Sequence, residues 1–126
     1  MKLLLDTHTL LWALAMPERL PSALRDHLCS PSNDILISPV NTWEVAIKAA
    51  FGKLRADVEE IEEAALEAGF RELPVRIAHT LRVAGLPPLH KDPFDRLLIA
   101  QAMVERCPIA TRDSAFRHYE IDVLWD

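Results

Sequence analysis

The chain has 126 residues, enough for one domain, and its 50% hydrophobic and 26% charged residues give the balance of an ordered globular protein. Three glycines leave no room for a glycine-rich phosphate loop, which excludes Walker-type and dinucleotide-binding readings. A net charge of −5 repels phosphate, so a nucleic-acid partner requires a local basic patch or bound cations.

The apolar run Lys2–Leu5 predicts a buried strand. A helix follows through Leu10, Leu11, Trp12 and Leu14 and ends before Pro17, and Pro21 opens a second over residues 23–29. Asp34 leads into a strand at 35–37, closed by Ser38-Pro39. A third helix is expected over residues 40–51, with Gly52 as its stop. Its apolar stripe is read as Val40, Trp43, Ile47 and Phe51, with Glu44 beside it and in about the first turn. The segment VEEIEEAALEAG is an amphipathic helix ended by Gly69, its glutamates forming a solvated face. A short strand at 70–75, a helix Ile77–Ala84, the loop LPPLHK and a helix from Asp92-Pro93 to about Arg106 come next. Strands at 108–110 and 121–125 close the chain. Such alternation predicts an α/β layer fold around a mostly parallel sheet.

Cys29 and Cys107 lack CxxC spacing and end apolar helical patterns, so both are expected as small core residues and not as a disulfide or zinc site. Asp6 and His8 interrupt the N-terminal apolar run, and no stretch nears the roughly 18 residues of a membrane span. A cytoplasmic, untargeted chain is expected.

The acids carry the chemistry. Asp6 directly follows the first strand, and Asp113 follows the strand at 108–110 through Thr111 and Arg112. If those strands are parallel, both carboxylates reach the edge where open α/β sheets bind ligands. Glu44 and Asp95 lie early in helices that begin at that edge, and Asp95 heads the stripe Leu98, Ile99 and Ala102. Each acid also has a plain role open to it: Asp6 and Asp113 as turn residues or caps, Glu44 as the i,i+4 partner of Lys48, Asp92 as an N-cap before Pro93. Four converging carboxylates repel by about 1–4 kcal/mol per pair at about 4 Å, which a divalent cation relieves. All-oxygen ligands favour Mg²⁺ or Mn²⁺, and such a site suits hydrolysis of a phosphodiester by activated water.

Four segments, LLLDTHTLLWAL, ISPVNTWEVAIKAAFGKL, LPPLHKDPFDRLLIAQA and IATRDSAFRHYEIDVL, span nearly the whole chain. In this order they resemble the PIN-domain nucleases, most closely the VapC toxins of bacterial toxin–antitoxin pairs. The resemblance implies one PIN domain over residues 1–126, a three-layer α/β/α sandwich with a central mostly parallel sheet, and a metal-dependent endoribonuclease site. The family's acids fall on Asp6, Glu44, Asp95 and Asp113, the set that the spacing also selects. Asp92 matches the HxDPFD pattern as ligand or cap, and Thr7 and Thr111 match the hydroxyl residues beside the first and last acids. Asn41 departs from the serine frequent before the WE pair, and it can cap the helix equally well. The resemblance further implies an RNA substrate, a VapB-like antitoxin and a homodimer.

Arg96, Arg112 and Lys48 adjoin the acids and are candidates to hold substrate phosphates or to offset the acidic charge. His8 is read as structural, with contact to substrate as the alternative, His90 as ordering the loop before Asp92, and Trp12, Trp43, Leu10 and Leu14 as core, an exposed subset being available for a dimer or antitoxin surface. Two other functions compete: a catalytically silent PIN-like binding module, and an Asp-nucleophile phosphotransfer enzyme built on Asp6. The second has no need of Glu44 and lacks a second Asp two residues on, where His8 stands.

Overall fold

The computed structural model describes residues 1–126. Its centre is β1 (Lys2–Leu5), flanked by β2 (Asp34–Ile37) in the register Leu3↔Ile35 and by β4 (Ile109–Ala110) in the register Leu5↔Ala110. β3 (Arg71–Glu72) and β5 (Val123–Leu124) form the edges, so the order is β3-β2-β1-β4-β5. Every pairing is parallel, where the sequence predicts a mostly parallel sheet. Parallel neighbours need crossovers. These carry α1 (Thr7–Ala15), α2 (Ser22–Cys29), α3 (Pro39–Ala50), α4 (Val58–Glu67), α5 (Ile77–Ala84) and α6 (Pro93–Glu105).

Successive side chains of β1 enter opposite layers, because strand residues alternate faces. Leu4 packs with Leu36, Leu98, Ile99, Ile109 and Phe116 on the α6 side. Leu3 and Leu5 pack with Leu10, Leu24, Ile35 and Ile61 on the side of α1, α2 and α4. All three leucines are fully buried, each contributing about 1.5–3 kcal/mol. The result is a three-layer α/β/α arrangement. Gly52 and Gly69 adopt left-handed φ of 71° and 83° after α3 and α4, the stops that the sequence marks.

Several expectations change. The inward face of α3 is Val40, Asn41, Glu44 and Val45, whereas Trp43 is 51% and Phe51 76% exposed. The reason is position: Val40 belongs to one core layer and Val45 to the other, so the helix meets the body along a narrow strip. Glu44 therefore points inward itself, in the second turn of the helix. Trp43, read as core, instead sets its ring edge against Phe94 at 4.8 Å. Cys29 is exposed because α2 buries only Leu24; Cys107 is buried as expected. The strand at 70–75 shrinks to two residues: Leu73 N–H still reaches Ile37 O at 2.7 Å, but Pro74 has no donor to continue. No helix is long and apolar enough to cross a membrane.

Candidate active site

The parallel pairing of Leu5 with Ala110 sets Asp6 and Thr111 side by side at the carboxyl edge of the sheet. Thr111 donates its hydroxyl to Asp6 Oδ2 at 2.5 Å, and Thr9 N–H donates to Asp6 Oδ1 at 2.8 Å. Asp6 thus caps α1 from the carboxyl edge of the sheet. It is only 7% exposed, and burial pushes its carboxyl above the ordinary range despite those donors. Thr111 Oγ1 accepts from Asp113 N–H at 3.0 Å, and Asp113 Oδ1 accepts from Ala115 N–H at 2.9 Å, opening a 3-10 turn over Ser114–His118. One threonine hydroxyl links the ends of the two strands.

α3 brings in the third acid. Ser38 is its N-cap; Asn41 is the third helical residue and not the cap, and its Oδ1 accepts from Ser38 N–H at 2.8 Å. The Asn41 amide also donates to Leu5 O at 3.2 Å and to Thr7 Oγ1 at 3.1 Å, tying the helix to the end of β1 and the start of α1. One turn on, Glu44 Oε2 accepts from Lys48 Nζ at 2.6 Å, which holds the lysine's pKa above its ordinary value. Glu44 Oε1 is buried with no hydrogen-bond partner. An orphaned carboxylate oxygen there is costly unless a ligand completes it.

The loop before α6 supplies the remaining acids. Asp92 Oδ1 caps the helix through Phe94 N–H at 2.8 Å and Asp95 N–H at 3.0 Å, so the capping role is real. Asp95, held in the first turn, is pushed up to about 7, first by burial and then by the charge of Asp92, with Glu44 adding and His90 opposing. His90 Nε2 lies 2.8 Å from Asp95 Oδ2 and 3.6 Å from Asp113 Oδ2. These three side chains offer ligand atoms within 4.8 Å of one another.

Asp6, Glu44, Asp92, Asp95 and Asp113 all line one cleft of about 590 Å³. Thr7, Lys48 and Arg112 line it too, while Thr111 lies buried behind Asp6. Arg96 is not a wall of this cleft. Its guanidinium donates to the carbonyls of Pro87 at 3.0 Å and His90 at 3.3 Å, so it braces the loop instead of reaching for phosphate. The structure sets two histidines beside the acids. His8 is an exposed wall of the cleft, and His90 joins the acids as well as ordering its loop. The available signal for His90 was its place two residues before the Asp92 cap, where the chain must fold back over the helix end.

The family description matching the sequence is the PIN domain, over residues 3–122. No curated protein sequence gives a significant match. Among solved structures, the chain is similar to VapBC2 from Rickettsia felis, bound to a fragment of promoter DNA, with TM-score 0.75, 17% identity and 100% of both chains covered. VapBC-1 from nontypeable Haemophilus influenzae gives 0.66 and 18%, covering 98% of this chain and 97% of the other. FitAcB from Neisseria gonorrhoeae gives 0.62 and 22%, covering 97% and 96%. At these identities the likeness is one of fold. The family match is broader evidence, since it runs from the central strand past the last turn, and by it the chain belongs to the PIN domain family.

Proposed function

We propose that the chain, as one PIN domain over residues 1–126, is a Mg²⁺- or Mn²⁺-dependent endoribonuclease of the VapC toxin type. The orphaned Glu44 Oε1, buried at a cleft with four aspartates, carries the reading. Its donors are carboxylate oxygens, the chemistry that hard divalent cations prefer. Asp6, Glu44, Asp95 and Asp113 are the residues to hold the cation, with Asp92 as the cap that orients Asp95. When bound, such a cation supplies charge neutralisation and an acidified water for attack on a phosphodiester.

The chain's own groups do the positioning. Thr9 N–H and Thr111 Oγ1 donate to the two oxygens of Asp6, and Ala115 N–H donates to Asp113 Oδ1, which holds both carboxylates in place. Lys48 offsets the charge of Glu44, and Arg112 offers a second cation to substrate phosphates. The phosphotransfer alternative fits less well, because both Asp6 oxygens already accept hydrogen bonds and the residue is almost fully buried. The likeness to VapBC complexes supports a VapB-like antitoxin as partner; a homodimer as the working unit and the cytoplasm as its place complete the proposal.

The test is RNA cleavage with EDTA, Mg²⁺ or Mn²⁺. Asp6→Asn, Glu44→Gln, Asp95→Asn and Asp113→Asn should each slow cleavage by about 100-fold or more while the far-UV spectrum stays unchanged. Full activity in two of them would defeat the shared-site reading. A wild type that binds RNA uncut under every metal would favour the silent binding module.

A further inference from the structure

One end of the cleft is built from three rings and one guanidinium group, and of these the nuclease reading uses only Arg112. Trp12 lies one helical turn beyond His8 on α1, and the two rings stack with planes 10° apart and centroids 6.1 Å apart. Trp125, just after β5, meets Trp12 at 6.0 Å with planes tilted by 53°. Arg112 Cζ sits 5.8 Å from the Trp12 ring centroid and Arg19 Cζ 5.6 Å. Trp12 and Trp125 are half-buried and rooted against the core, whereas His8, Arg19 and Arg112 are exposed. His8, Trp12, Arg112 and Trp125 share the cleft wall with Asp6 and Asp113.

We infer that Trp12, with His8, Trp125 and Arg112, is a stacking subsite for a nucleobase of single-stranded RNA beside the bond to be cut; this rests on the nuclease reading above. Three observations converge on it. Asp6 and Glu44 are 7% and 6% exposed, so a phosphate must enter the cleft to meet them, which a flexible single strand can do and a stiff duplex cannot. In a chain of net charge −5, Arg112 beside these rings places positive charge on the cleft wall, where it can hold a phosphate while the rings hold the base. The spacing is also set by the fold: Asp6 caps the helix whose next two turns carry His8 and Trp12, and Arg112 immediately precedes Asp113. The subsite reads the flat face that every base shares, so it chooses single strands over duplexes before it chooses sequence.

The test separates binding from cutting. Binding of a labelled single-stranded oligoribonucleotide is measured with Mg²⁺ in an Asp95→Asn background, using intact RNA and the same strand made abasic throughout. Stacking is worth about 5- to 150-fold in affinity per base. Trp12→Leu should therefore raise Kd for intact RNA by that factor, Trp12→Phe should restore most of it, and the abasic strand should bind both proteins equally. His8→Ala and Arg112→Ala, at exposed positions, should move Kd in the same direction if Trp12→Leu fails to fold. Equal affinity of the unaltered Trp12 protein for intact and abasic strands would overturn the proposal, and the rings would then be a protein-contact surface. Metal-dependent cleavage by the wild type would survive that result. Conversely, base-dependent binding without cleavage under any metal would retain the subsite and reject the nuclease.

Discussion

Asp95 keeps its proton up to about pH 7 because folding removes it from water beside Asp92 and Glu44, and the facing His90 offsets this only in part. The ordinary value of 3.8 applies to the unfolded chain. A carboxyl raised on folding contributes stability that is complete below pH 3.8 and is lost as pH rises through about 7. In the metal-free protein, carbon-detected NMR should follow Asp95 titrating near 7. Urea unfolding between pH 4 and 7 should show a decline that Asp95→Asn flattens, and an Asp95 titration near 3.8 would contradict this account. Asp6 acts in the same direction, also through burial. Asp34 acts in the other: Arg71 lowers its pKa, so its contribution is lost only in acid, below the ordinary carboxylate range.

At the scale of elements, α3 shows how a cap becomes a brace. Asn41 is fully buried and satisfies Ser38 N–H, Leu5 O and Thr7 Oγ1 together. Asn41→Ala would strand those groups, and an unsatisfied buried polar group costs about 1–3 kcal/mol. We expect a loss of that size in urea unfolding, with a further drop in metal affinity, since Glu44 is carried on the next turn of the same helix. A loss below about 0.5 kcal/mol would mean that water replaces the amide and the tether is idle. α6 follows the same logic through Asp92, whose carboxylate holds the helix start while the helix presents Asp95.

Over the whole molecule, the four connections between strands deliver acids to one sheet edge, so their mutual repulsion strains the empty folded state. A divalent cation that binds only the folded form must stabilise it by mass action, by about 2.7 kcal/mol at about 100-fold excess over Kd. For a domain near this size, that corresponds to a rise in Tm of several degrees. Scanning calorimetry with Mn²⁺ or Mg²⁺ should show this rise, with little response to monovalent salt at matched ionic strength. The rise should vanish in the Asp6→Asn, Asp113→Asn double variant, and it should weaken toward low pH, where protons compete for the same carboxylates. Absence of any divalent shift at millimolar concentrations would mean that the site does not preassemble.

What the sequence determined by itself is whatever depends on neighbours along the chain. Asp6 after an apolar strand, Asp92 before Pro93, and Gly52 and Gly69 after their helices all read correctly, because caps, stops and strand ends are decided within a few residues. The convergence of the acids was also legible, since in a parallel sheet every strand's carboxyl end lies on one side. Tertiary structure alone decided which face of α3 turns inward. Apolar periodicity selects Trp43 and Phe51, but a helix spanning two core layers follows the strip where both can pack, leaving Glu44 inside and the two aromatics out. It likewise turned Arg96 toward loop carbonyls and His90 toward Asp95 and Asp113, contacts across a folded loop that have no linear period. The pairing of Trp12 with Trp125 belongs to the same class: the two residues stand at opposite ends of the chain, and only the strand order brings them together.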